Sequence, residues 1–274
     1  MKRRTWLFVP GADPAAHQAA AKSGADVIIL ELEDFTPPEL RPKARELSRD
    51  VFDRWRAAGA AAAVRINPLE SGGLEDLLGV LAGRPDIILM SKVVSPEQVV
   101  SLEKATGSSV ELVPNVETAA GLMNTFQIAQ ASPRVSALLV ASEDMVADLG
   151  TARSRKGEEL AYVRGRFLLE CRAAGVEAID CPYTFSDVKG AVADARHAKR
   201  LGYRMKSLVD PSHAKAINAV FTPSKSEIAK AKRIVAAFEK ARAAGRERAK
   251  VDGALIEVPI YAAAKRLLES SSRS

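Results

Sequence analysis

Cysteine is scarce in this 274-residue chain, and the two present, Cys171 and Cys181, show no CxxC or Cys/His spacing. That pattern excludes a disulfide-built scaffold and a thiolate metal centre, and reads as two reduced structural thiols. No apolar run approaches the roughly 20 residues that span a bilayer, and the opening Met1-Lys2-Arg3-Arg4-Thr5-Trp6 lacks a signal peptide's apolar segment. A cytoplasmic protein with no membrane partner is expected. Linkers are missing too, since no Pro/Gly/Ser-rich stretch or composition break divides the chain. The first β-α junction, Val9-Pro10-Gly11-Ala12-Asp13, has no GxGxxG fingerprint, which argues against an open dinucleotide-binding sheet. What remains, 47% hydrophobic and 27% charged residues, is the composition of an ordinary globular protein and rules out disorder and collagen.

The net charge of +6 is local. Residues 224–250 carry nine Lys and Arg against three acids, and the other 247 residues balance at 31 of each sign. A nucleic-acid surface would want interleaved aromatics, and this stretch has one, Phe238. Ile228, Ala231, Ile234, Val235 and Phe238 recur at helical spacing, so the bases fall on the solvated side of a helix. No nucleic-acid partner is expected.

Short apolar or β-branched runs begin near Thr5, Val27, Ala61, Asp86, Ser109, Ser136, Glu177 and Tyr203, each followed by a turn signal and a helical pattern. Continuously apolar runs such as Val27–Leu30 and Ala137–Val140 suit a parallel sheet buried on both faces. Ser95-Pro96-Glu97 marks a capped helix start. The expectation is a (β/α)8 barrel over residues 1–223 and a C-terminal helical extension over 224–274.

In such barrels the active site lies at the C-terminal strand ends. Strand two runs into Glu31, Glu33 and Asp34, strand three into Arg65 and Asn67, strand four into Lys92 and strand five into Glu117. Strand six runs into Glu143 and Asp144, seven into Asp180 and eight into Asp210. Ionisable groups at seven consecutive strand ends predict a polar mouth. Glu117 and Asp144 end adjacent strands, and two carboxylates without Cys or His suit a hard divalent ion, most simply Mg2+; helix capping is the alternative. Arg65 offers a fork for a substrate carboxylate, or a structural ion pair with Glu31 or Glu33.

These residues sit in blocks with a recognisable order: Thr5-Trp6-Leu7-Phe8-Val9-Pro10-Gly11, Leu30-Glu31-Leu32-Glu33-Asp34, Val64-Arg65-Ile66-Asn67, Pro114-Asn115-Val116-Glu117-Thr118 and Glu143-Asp144-Met145. Over nearly the whole chain they resemble the HpcH/HpaI aldolase/citrate lyase family, on its branch of citrate lyase β-subunit-like stand-alone acyl-CoA lyases. The resemblance implies a TIM barrel, Mg2+ on Glu117 and Asp144, and a homotrimer or hexamer in which the extension over 224–274 contacts a neighbouring subunit. Arg65 would be the carboxylate-binding residue, with Phe8, Glu33, Asp34 and Glu117 also lining the substrate site. A C-terminal G-x-M-[IV]-D-x-P segment in that family reaches a neighbour's site with a catalytic aspartate; here it reads Gly253-Ala254-Leu255-Ile256-Glu257-Val258-Pro259, making Glu257 the expected acid/base residue. Asp210 replaces the usual histidine after strand eight, and Asn115 replaces an apolar residue.

The implied reaction is Mg2+-dependent cleavage of a carboxylated 3-hydroxyacyl-CoA, such as citramalyl-, malyl- or citryl-CoA, into a 2-oxo acid and acetyl-CoA or a homologue. Arg153, Arg155 and Lys156 are candidates for the CoA phosphates or a solvated loop. Two other readings stay open: a CoA-independent class II aldolase acting on 4-hydroxy-2-oxo acids, and the β-subunit of a carrier-dependent citrate lyase.

Overall fold

The computed structural model describes residues 3–107 and 110–272. Its barrel unit, Arg3–Phe221, holds eight parallel strands: β1 (Thr5–Pro10), β2 (Val27–Glu31), β3 (Ala61–Ile66), β4 (Ile87–Met90), β5 (Glu111–Val116), β6 (Ala137–Val140), β7 (Glu177–Asp180) and β8 (Met205–Leu208). They follow chain order around the sheet, and β8 pairs with β1 to close it. The expected (β/α)8 barrel is therefore what the chain forms; Ser109, expected near the start of the fifth strand, lies outside the described residues.

Side-chain alternation sorts each strand between two cores. Trp6, Phe8, Val27, Ile29, Ala61, Ala63, Ile87, Leu89, Val113, Leu139 and Ile179 fill the barrel interior. The intervening Leu7, Ile28, Leu30, Ala62, Val64, Ile88, Leu112 and Leu138 pack outward with the helices. Burial on both faces explains the continuously apolar strand sequences. The helix starts are chemically marked: Ser95 and Gln98 form a capping box before Pro96–Thr106, as the Ser-Pro-Glu signal indicated, and Asp13 caps Pro14–Ser23.

The second unit, from Thr222 onward, opens with the helix Lys225–Ala243, whose N-cap Ser224 forms a capping box with Glu227. Ala231, Ile234 and Phe238 are buried against Ile256 and Ala264, and the Phe238 ring stacks on Tyr261 at 4.6 Å. Lys230, Lys232 and Arg233 are exposed, as the helical stripe implied. Between its helices the unit carries a hairpin, β9 (Ala249–Val251) and β10 (Ala254–Ile256), where only helix was expected. Asp252 and Gly253 turn it with φ of 50° and 80°, the Asp-Gly signature of a tight hairpin turn. Helix Val258–Ser272 completes the unit. Among the described residues, no helix is long and apolar enough to cross a membrane.

Candidate active site

One inward position above the apolar barrel layers, the strands turn polar. Glu31 follows Ile29 on β2, Arg65 follows Ala63 on β3, Ser91 follows Leu89 after β4, and Asn115 and Glu117 follow Val113 on β5. Each is at most 6% exposed. The β1 turn supports this layer through Gly11, where a side chain would come within 2.6 Å of the Glu31 carbonyl oxygen. The Gly11 amide donates to Thr36 Oγ1, which donates in turn to that carbonyl.

Arg65 is the hub. Its Nε donates to Glu31 Oε1 at 3.0 Å, Nη2 lies 3.1 Å from Glu33 Oε2, and Nη1 reaches Glu117 Oε1 at 3.4 Å. The guanidinium also lies 4.8 Å from the Phe8 ring centroid. Burial opposes its charge, but Glu31, Glu117 and Glu33 outweigh that and hold its pKa above the ordinary value. The structural pair with Glu31 and Glu33 is thus real, and Arg65 still lines the cavity at the mouth. Lys92, in a left-handed conformation at φ 54°, extends Nζ to 2.5 Å from Glu33 and donates its backbone amide to Glu117 Oε2. Both Glu33 contacts are ion pairs without aligned hydrogen bonds, leaving its oxygens buried and incompletely satisfied.

Glu117 is fully buried and accepts from Asn115 Nδ2 at 3.0 Å. Burial pushes its carboxyl up to about 7; Arg65 opposes the shift, while Glu33 and Asp144 add to it. Its carboxylate makes no helix cap, since Thr118 caps the next helix. Asp144 lies in the first turn of helix Glu143–Asp148 and lines the same cavity of about 140 Å³ as Phe8, Asp34, Phe35, Arg65 and Asn115.

Among the described residues, no group of three or more His, Cys, Asp or Glu side chains is arranged as a metal cage. A pair of carboxylates in an acidic mouth fits Mg2+ nonetheless, because that ion keeps several waters and uses one or two carboxylates plus substrate oxygens.

Two strand ends belong elsewhere. Asp180 points into the layer between barrel and helices, where Arg164 Nε and Nη2 donate to it at 2.8 and 2.7 Å and Lys206 Nζ at 2.7 Å. Asp210 caps the short helical turn at Pro211–His213 by accepting from the Ser212 amide. Neither lines the mouth cavity, because chain alternation turns Asp180 outward and the cap holds Asp210. Asn67 is likewise structural, donating to the Leu32 carbonyl and Asp76. Glu143 is exposed and accepts from Thr184 Oγ1 and Arg153. Arg153 is tied to Glu159 and Arg155 to Asp187, while Lys156 is exposed. Glu257 belongs to the C-terminal unit, half exposed and 3.1 Å from Arg248. Reading strand ends missed Ser142 and Phe35, which carry no charge to mark them.

The sequence profile of the HpcH/HpaI aldolase/citrate lyase family matches residues 4–211. The chain belongs to that family. With it stands the expected lyase class. The citrate lyase subunit beta of Haemophilus influenzae is 32% identical over 97% of this chain and 96% of its own length. A (3S)-malyl-CoA thioesterase of Cereibacter sphaeroides is 32% identical over 93% of this chain and 89% of its own. Protein CitE from Mycobacterium tuberculosis, solved with magnesium, acetoacetate and coenzyme A, superposes with a TM-score of 0.82 at 28% identity, covering 99% of this chain and 98% of that one.

Proposed function

We propose that this chain is a Mg2+-dependent carbon-carbon lyase that cleaves a carboxylated 3-hydroxyacyl-CoA into a 2-oxo acid and a shorter acyl-CoA. The observation that carries this reading is the buried cluster of Glu31, Glu33 and Glu117 around Arg65, which itself lines the cavity that Asp144 also lines. The Mg2+- and CoA-bound relative supports it. Glu117 and Asp144 would hold Mg2+, which when bound supplies Lewis-acid stabilisation of negative charge developing on the hydroxyl oxygen.

The remaining work falls to side chains. Arg65, locked by Glu31 and Glu33 and lining the cavity, would orient the substrate carboxylate. Phe8 and Phe35 flank the guanidinium and exclude water. In the cleavage step the hydroxyl loses its proton, the bond between the acyl α and β carbons breaks, and its electron pair passes into the thioester enolate. Protonation at the α carbon completes the balance. Glu257 from a neighbouring subunit is the acid/base group of this proposal, in a homotrimer or a hexamer built from it, and Asp34 is an acidic group of the barrel itself that lines the cavity. Cytoplasmic operation belongs to the same reading, in keeping with two buried free thiols.

The test is a panel of citramalyl-, malyl- and citryl-CoA with Mg2+, products identified by mass spectrometry. Release of a 2-oxo acid with acetyl-CoA or a homologue, lost in Glu117→Ala, is expected. Free CoA with the intact hydroxy acid would indicate a thioesterase. Cleavage of a 4-hydroxy-2-oxo acid without a thioester would indicate the class II aldolase, and turnover only with partner subunits would indicate the carrier-dependent lyase.

A further inference from the structure

Two polar atoms at the mouth have no use in that scheme. Asn115 is fully buried and its Nδ2 donates to Glu117 Oε1 at 3.0 Å. With Glu117 ionised, as a cation ligand must be, its carboxylate only accepts, so this bond takes the amide nitrogen and leaves Oδ1 as the amide's free acceptor. That oxygen is buried with no hydrogen-bond partner. Ser142, 1% exposed, occupies the N-cap position of helix Glu143–Asp148, yet its hydroxyl makes no cap bond and Oγ is also unpartnered. Both residues line the mouth cavity, Asn115 on β5 and Ser142 just past the end of the neighbouring β6.

Of the other side chains there, Arg65, Asp34, Glu143 and Asp144 are charged, most of the rest are apolar, and the one further hydroxyl, that of Thr184, is already committed, donating to Glu143 Oε1 at 2.7 Å. A buried acceptor left unpaired costs about 1–3 kcal/mol, so an atom that donates to it is favoured over a methyl group of the same size. Asn115 Oδ1 can only accept, and the Ser142 hydroxyl can do either.

We propose that Asn115 and Ser142 are specificity-determining residues that select a substrate whose 2-oxo-acid half carries a hydroxyl besides the reacting one. A hydroxymethyl group donates to Asn115 Oδ1 and is met by the Ser142 hydroxyl; a methyl group in its place leaves both orphaned. The inference rests on the lyase reading above, because it assigns this cavity to the oxo-acid half. The discrimination follows the rule that a site built to hydrogen-bond a substrate hydroxyl rejects the analogue lacking it more strongly than an apolar site rejects an added methylene.

Calorimetric titration of the whole protein with pyruvate and with 3-hydroxypyruvate, in Mg2+-containing buffer, tests this without turnover. The expected result is at least 10-fold tighter binding of 3-hydroxypyruvate. Asn115→Leu should abolish that preference, and Ser142→Ala, which leaves the Asn115–Glu117 bond untouched, should reduce it several-fold. Equal affinities, no measurable binding of either acid, or a preference that survives in both variants overturns the proposal. The thioester panel separates the two ideas: cleavage by wild type without a hydroxyl preference defeats this inference alone, whereas a hydroxyl preference without cleavage of any thioester defeats the lyase reading.

Discussion

Two buried charge clusters in the same barrel behave in opposite ways. On the flank beneath β7 and β8, Arg164 and Lys206 face Asp180 and Asp194, two charges of each sign, and the Lys206 ammonium donates to Asp180 and to the Cys181 carbonyl with Asp194 beside it. At the mouth, Glu31, Glu33 and Glu117 crowd one buried guanidinium, with Lys92 at the edge and Asp144 beside them. The flank is neutral and satisfied, while the mouth is negative and has buried oxygens without partners. Similar burial thus accompanies different arrangements: the first cluster closes a structure, and the second is the one we propose receives a cation and a polar ligand.

The largest expected effect separates these roles by mutation. Glu117→Gln should lower kcat about 1,000-fold, the scale of losing a main electrostatic contact of the transition state, while leaving Tm unchanged or higher because a crowded buried charge is gone. Steady-state kinetics and calorimetry on one preparation check both halves, and a fall in both would erase the contrast.

The flank should show the reverse. Asp180→Ala leaves Arg164 and Lys206 with Asp194 as their one remaining carboxylate, two buried cations against a single anion, and should cost about 3–5 kcal/mol in urea unfolding, with activity per folded molecule retained. Should the variant fail to fold, Asp180→Asn, which preserves shape, should give a soluble protein with a smaller loss.

A pH series sharpens the comparison. Burial opposes ionisation of Asp194, but Lys206 and Arg164 outweigh it and hold its carboxyl well below the usual range. A carboxylate with a lowered folded pKa adds stability above its unfolded pKa of about 4, and that stability is lost as pH falls toward the folded value. The unfolding midpoint should therefore decline below about pH 4, less steeply in Asp194→Asn. An unchanged acid slope in the variant would remove Asp194 from the account.

The smallest effect is a rate. Burial pushes the Cys181 thiol up to about 12, and the Cys171 thiol also upward. Both should label with a thiol reagent only after denaturation, and fast labelling of native protein would show that the flank opens locally.

Much of this was readable in the chain. The eight strands were visible because each alternates between two apolar layers, and the mouth residues from Glu31 to Asp144 were visible because charge breaks that apolar pattern at the strand ends. Asp180 and Asp210 carry the same mark and serve structure instead, since a charge at a strand end does not tell which way its side chain turns. Ser142 was invisible for the converse reason: a serine before a helix reads as a cap, and only its missing cap bond distinguishes it. The hairpin of the C-terminal unit did have a signal, Asp252-Gly253, but its strands of three residues are too short for a periodicity to register.

Sequence by itself determined the barrel, the local origin of the +6 charge and the kinds of groups available at the mouth, because hydrophobic period and residue chemistry are properties of the chain. Tertiary structure alone decided which acids share Arg65, which are neutralised on the flank, and which buried oxygens are left without a partner. Those outcomes depend on distances between residues up to 86 positions apart in the chain, as in Glu31 and Glu117, brought onto one guanidinium only when the sheet closes.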